Sequence, residues 1–162
     1  MPPPRALVLG IGNLLLGDEG AGIHAVQALQ RAPLPAGVDV LDGGTGGFNL
    51  LACFREYPCV ILIDATLDGR PPGTVETLQP RFLSEYPRSL AAHDIGLRDL
   101  LETTALFGPL PRIHLVAISI ARVDSATMEL TPPIQAAIPA VLRSVRQILH
   151  AEGFAPADDN CS

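Results

Sequence analysis

The chain predicts an α/β fold, a three-layer sandwich in which a mainly parallel, twisted sheet of about five strands lies between helices. Two observations carry this. Short apolar runs of strand length, RALVL (5–9), VDVL (38–41), VILI (60–63) and IHLVAI (113–118), alternate with stretches whose apolar residues recur at helical spacing. The strongest runs are also apolar without period-two alternation, the pattern of strands covered on both faces. With 162 residues, 48% apolar and 17% charged, the chain suits a single domain, residues 1–162, with its core at 5–150 and a polar tail at 151–162.

Taken in order, residues 5–9 form a buried first strand stopped by Gly10 and Gly12. Ile23, Val26 and Leu29, with Ala21, Ala25 and Ala28, make the apolar stripe of a helix ending before Pro33 and Pro35. A second strand, 38–41, runs into DGGTGG. Phe48, Leu50 and Leu51 predict a short helix before Pro58, and 60–63 is the strongest buried strand. Residues 73–78 follow the turn signal DGRPPG too closely for a crossover helix, so they read as an added strand whose direction the sequence leaves open, an antiparallel edge being one arrangement. A loop-like stretch, 79–94, leads to a helix bearing Leu97, Leu100 and Leu101, then to the strand 113–118, whose one polar residue is His114. Ile134, Ile138, Val141, Leu142, Val145, Ile148 and Leu149 keep helical period in a last helix that Thr131 can cap, Pro132 can open and Pro139 should kink.

Bulk properties exclude several roles. A formal charge of −6, a pI near 5.0 and only 11 scattered Lys and Arg residues argue against binding nucleic acid, which needs clustered cations. No apolar run approaches the roughly 20 residues that span a bilayer, and the N-terminus lacks a signal-peptide pattern, so a cytoplasmic chain without membrane attachment is expected. Cys53, Cys59 and Cys161 are odd in number and lack C-x-x-C spacing, so they read as reduced thiols rather than a disulfide framework or zinc knuckle.

The strand, G-x-G, loop and helix order also begins a dinucleotide-binding unit, which makes a phosphorylase or nucleotide-binding enzyme an alternative reading. Against it, the third glycine is missing, and GIGNLLLGDEG puts Asp18 and Glu19 at the start of the helix, where a phosphate would otherwise meet backbone N–H groups. Asp18 is equally suited to capping that helix, Glu19 to a first-turn acid favoured by the helix dipole, and Asn13 to a turn.

In an open α/β sheet the crevice lies beyond the carboxyl ends of the strands, where strand order reverses. If the second strand packs on one side of the first and 60–63 on the other, Glu19 and Asp64, which ends VILIDA, flank that crevice. His93, in AAHDIGL, can enter from the long loop. Two carboxylates and an imidazole make a three-ligand site for a borderline divalent metal with positions left open. Each also has a plainer role, Asp64 as a turn residue and His93 as a solvated loop histidine. His24, His114 and His150 lack the crevice position of His93.

GIGNLLLGDEGAG, LDGGTGG, ILIDA, AHDIGL and LTPPIQ, in this order and spacing, closely resemble the nickel-iron hydrogenase maturation endopeptidases, over nearly everything from residue 5 to about 149. The resemblance implies an endopeptidase that removes the C-terminal extension of the hydrogenase large-subunit precursor after nickel insertion. It matches Glu19, Asp64 and His93 to metal-binding positions that meet nickel carried by the substrate, so no permanent cofactor is expected. It also matches Asp42 to a further acid near the cleft, beside which Gly43, Gly44 and Thr45 become substrate-binding candidates, and one-to-one docking suggests a monomer. One departure is Ala121 and Arg122, where many relatives carry a proline and an acid; this bears on the choice of hydrogenase partner.

No H-E-x-x-H, G-x-S-x-G or nucleophilic cysteine setting is present. Water is therefore activated either by nickel acting as a Lewis acid or by a carboxylate base, Asp18, Asp42 or Asp64, with nickel fixing the substrate in place. A non-catalytic nickel-sensing chaperone is the remaining alternative.

Overall fold

The computed structural model describes residues 5–44, 49–81, 95–123 and 126–156. Its elements follow the order β1 (Ala6–Gly10), a 3-10 turn (Gly17–Gly20), α1 (Ala21–Gln30), β2 (Val38–Asp42), α2 (Asn49–Glu56), β3 (Cys59–Thr66), β4 (Val75–Leu78), α3 (Ile95–Phe107), β5 (Arg112–Ser119) and α4 (Pro132–Ala151). The five strands form one sheet in the order β2-β1-β3-β5-β4. β1 pairs parallel with both β2 and β3, β3 pairs parallel with β5, and β4 closes the far edge antiparallel to β5.

Both faces are covered, which accounts for the unbroken apolar runs. Ala6, Val8, Ile61, Ile63, Val116 and Ile118 pack with Val26 and Leu29 of α1 and Val141 and Val145 of α4. Leu7, Leu9, Val60, Leu62 and Leu115 project the other way, onto Phe54 of α2 and Leu101 of α3. Period-two alternation thus serves two cores from one strand, each fully buried Leu, Ile or Val contributing about 1.5–3 kcal/mol.

The chain leaves β1 through α1 to β2 on one side, then crosses back through α2 to β3 on the other. The reversal point therefore falls between β1 and β3. Here the two glycines of the G-x-G run act through what they lack. A Cβ on Gly10 would collide with the Gly22 carbonyl and with Val26, so the missing side chain seats α1 on the strand. A Cβ on Gly12, whose φ is +146°, would meet the Glu19 carbonyl, so its absence lets the 3-10 turn fold back on the loop.

One expectation for the last helix changes. Thr131 holds the N-cap position without a side-chain cap bond, although Pro132 does occupy the first turn. The helix runs as one element through Pro139, whose ring is exposed, so a proline at a solvent-facing position is accommodated there without breaking it. Among the described residues no helix is long and apolar enough to cross a membrane. Neither Cys53 nor Cys59 is in a disulfide, whereas Cys161 lies outside the described residues.

Candidate functional site at the carboxyl edge of the sheet

The carboxyl ends of β1, β2 and β3 and the 3-10 turn bring the acids to one edge. The loop after β1 donates the Ile11 N–H to the Ile63 carbonyl at 2.9 Å, and the 3-10 turn packs against β3. Gly22 lies so close that a Cβ would strike the Ile11 and Ile63 carbonyls. Glu19, in the turn, is 1% exposed, and Asp64, one residue beyond Ile63, is 0% exposed. Two carboxylates on separate segments are thus withdrawn from water at the point where strand order reverses. Burying an ionised carboxylate costs several kcal/mol unless it is paired or hydrogen-bonded, so the position is chemically marked. Asp64 Oδ1 accepts the Ala65 N–H at 2.8 Å, which orients the carboxylate locally.

Asp18 has a different environment. Its Oδ1 accepts the Thr131 N–H and its Oδ2 the Thr131 hydroxyl, both at 2.7 Å. Rather than capping its own helix, it satisfies a backbone donor at the start of α4, 113 residues away, and takes the hydroxyl that sequence reasoning assigned to capping. A parallel bridge between Leu16 and Thr127 strengthens the same junction, with the Gly17 N–H on the Thr127 carbonyl at 2.8 Å. His24 joins in through a ring nitrogen 3.1 Å from the Met128 carbonyl.

Asp42 ends β2 and is exposed. Its Oδ1 accepts the Gly44 N–H at 2.8 Å, an Asx turn that bends the chain out of the strand. Gly43 donates to the Gly10 carbonyl at 2.8 Å, and the Gly44 carbonyl accepts the Gly12 N–H at 2.9 Å. The N–H groups of Gly43 and Gly44 are therefore engaged in tying β2 to the glycine loop and closing the Asx turn, and these residues shape the rim with their backbone. Thr45 and His93 lie outside the described residues. The described part of the site thus joins Glu19 and Asp64 as buried acids, Asp42 as an exposed acid at the rim, and Asp18 as a brace.

An open α/β sheet with carboxylates gathered at its switch point has the layout of an α/β enzyme, with the acids where ligands bind in this fold class. Comparison with known proteins makes the class specific. Residues 23–148 match the family described as hydrogenase maturation protease. The chain is 34% identical to the hydrogenase 2 maturation protease of Escherichia coli K12, over 92% of this chain and 93% of the relative. It is 35% identical to the hydrogenase expression/formation protein HupD of Rhizobium leguminosarum, over 95% of this chain and 78% of the relative. The structure superposes on the hydrogenase maturating endopeptidase HybD from Escherichia coli with a TM-score of 0.86 at 32% identity, covering 98% of this chain and 99% of that one. The chain belongs to the hydrogenase maturation proteases, and it is an endopeptidase.

Proposed function

We propose that this endopeptidase removes the C-terminal extension of a nickel-iron hydrogenase large-subunit precursor, and that Glu19, Asp64 and His93 engage the nickel already held by that precursor. The observation that carries the reading is that Glu19 and Asp64, both buried, come from two separate segments that meet where the strand order reverses. A structural neighbour from Thermococcus kodakarensis, described as a NiFe hydrogenase maturation protease, agrees with this substrate class; its TM-score is 0.74 at 27% identity, covering 89% of this chain and 98% of that one.

In this scheme the nickel is part of the substrate. Borderline Ni²⁺ suits an imidazole with two carboxylates, and a precursor lacking the metal lacks the atom that these side chains require. Docking then serves as a checkpoint on nickel insertion. Among the three candidate bases the geometry favours Asp42. Asp18 is engaged through both oxygens by Thr131 and Asp64 is committed to the metal, whereas Asp42 is exposed at the rim and holds the Gly44 N–H through Oδ1 alone. A positioned carboxylate of this kind contributes about 10²–10⁴-fold to proton transfer.

The test incubates the purified protein with nickel-loaded and nickel-free large-subunit precursors and follows loss of the C-terminal extension by mass. Cleavage confined to the loaded precursor, and abolished together by Glu19→Gln, Asp64→Asn and His93→Ala, is expected. Equal cleavage of the nickel-free precursor would remove the checkpoint. Exchange of the substrate metal separates its two roles: altered single-turnover cleavage identifies a Lewis acid, and altered binding alone identifies a recognition element.

A further inference from the structure

At the opposite, amino end of the sheet, three side chains of metal-ligating type converge from three elements. Cys59 opens β3, His114 is the third residue of β5, and Glu152 follows the last residue of α4. Cys59 pairs in register with Arg112 and Ile61 with His114. Cys59 therefore faces the α1 and α4 side of the sheet with Ile61, and His114 faces it with Val116 and Ile118. The thiol, an imidazole nitrogen and a carboxylate oxygen all lie within 4.8 Å of one another. Cys59 is 0% and His114 8% exposed, and the Glu152 side chain is 13% exposed.

The cluster is already oriented. His114 Nε2 and Glu152 Oε1 are 2.7 Å apart, while Arg112 donates from Nε at 3.0 Å and lies at 2.9 Å through Nη2, both to Glu152 Oε2. Arg112 thus holds the carboxylate through Oε2, as outer partners of metal ligands do, and leaves Oε1 to His114. A tetrahedral Zn²⁺ with bonds of about 2.0–2.3 Å needs its donors roughly 3.3–3.6 Å apart, reached here by small side-chain rotations.

We propose that Cys59, His114 and Glu152 form a second metal site, for a thiophilic divalent cation of the Zn²⁺ class, that ties the end of α4 to the starts of β3 and β5. On binding, the thiol proton leaves to solvent and sulfur bonds the metal as thiolate. The Nε2–H that meets Glu152 in the metal-free protein is lost to solvent while Nδ1 carries the ring proton, so Nε2 gives its lone pair to the ion and Glu152 Oε1 becomes the third ligand. A water completes the coordination. Thiolate and carboxylate together neutralise the dication, so the bound cluster keeps the single positive charge of Arg112. The site shares no residue with the acids at the carboxyl edge and does not depend on their role.

The test adds Co²⁺ to the full chain after chelator treatment and reads sulfur-to-cobalt charge transfer, which only a thiolate ligand produces. The carboxyl-edge acids contain no sulfur, so a Glu19→Gln, Asp64→Asn background should leave the signal intact. The expected result is a band saturating at one equivalent, displaced by Zn²⁺, lost in Cys59→Ser, retained in Cys53→Ser, and requiring about 10–100-fold more metal in Glu152→Gln. Zn²⁺ should also raise the thermal midpoint of the wild type in a concentration-dependent way. The absence of a thiolate band in the wild type would overturn the proposal without reference to any variant. So would a band that survives Cys59→Ser, or a Glu152→Gln protein that binds with wild-type affinity; either leaves the cluster as a hydrogen-bonded ion pair only.

Discussion

The two ends of the sheet treat acids in opposite ways. At the carboxyl edge Glu19 and Asp64 are sunk among β1, β3 and the 3-10 turn, and Asp18 and Asp42 stand beside them. At the amino end the acids are paired with cationic side chains of other elements: Glu152 meets His114 and Arg112, and Asp39 meets Arg5 at 3.3 Å beside the Tyr57 hydroxyl at 2.6 Å. Burial pushes the Glu152 carboxyl up, but the hydrogen bonds from His114 and Arg112 outweigh it, and its pKa falls below the ordinary value. Burial, with the Glu152 charge second, pushes the Cys59 thiol up to about 11, so without a metal it stays protonated at neutral pH. Charge pairing of this kind ties elements together, whereas the carboxyl edge gathers acids from a turn and two strand ends.

Substitutions can sharpen or break this contrast. The largest effect is expected at the carboxyl edge, where Glu19→Gln or Asp64→Asn should reduce precursor cleavage by about 10²–10⁴-fold while circular dichroism and the unfolding midpoint show a folded protein. An equal loss of stability and activity would make these acids structural. Next, Gly22→Ala sets a methyl group against the Ile11 and Ile63 carbonyls. It should cost about 1–3 kcal/mol in urea unfolding and lower cleavage as well, because α1 carries the turn that holds Glu19.

Asp18→Ala removes the acceptor of both Thr131 bonds and should destabilise by about 1–3 kcal/mol. Asp18→Asn, which keeps an acceptor, should recover part of that loss, and a catalytic role would show instead as a lower kcat in a protein of unchanged stability. The smallest effect belongs to Tyr57→Phe at the amino end. The Tyr57 hydrogen bond, helped by Arg5, holds Asp39 below its ordinary 3.8, and the same bond raises Tyr57 above its ordinary 10.0. A lowered carboxylate contributes stability present above its unfolded pKa and lost as pH falls through the folded one. A raised phenol contributes stability complete below its unfolded pKa and lost as pH rises through the folded one. The variant should therefore lose under about 1 kcal/mol across the range between, and approach the wild type at both extremes.

Much of the fold is legible because the strands at 5–9, 60–63 and 113–118 are apolar on both faces, a local pattern that few arrangements besides a covered parallel sheet produce. The edge strand is readable from its short distance to DGRPPG, although only the antiparallel pairing of β4 with β5 fixes its direction. The G-x-G run misleads when taken alone, since its glycines resemble a phosphate-binding loop yet serve close contact with Gly22 and Glu19. Thr131 reads as a cap because it precedes Pro132, and nothing local announces that Asp18, 113 residues earlier, takes its hydroxyl. The Cys59, His114 and Glu152 cluster has no spacing signature, because its members lie on three elements; a polar residue inside an otherwise apolar strand, His114, is the one available hint.

The order of elements, the placement of Glu19 and Asp64 at strand and loop ends, and membership of a protease family rest on local pattern and motif order, which the sequence carries by itself. The burial of those acids, the engagement of Asp18 by Thr131 and the meeting of a thiol, an imidazole and a carboxylate at the amino end were decided only by the tertiary structure. The physical reason is that burial and charge pairing depend on which distant segments share a sheet edge, and strand order is set by packing of both faces rather than by any stretch of neighbouring residues.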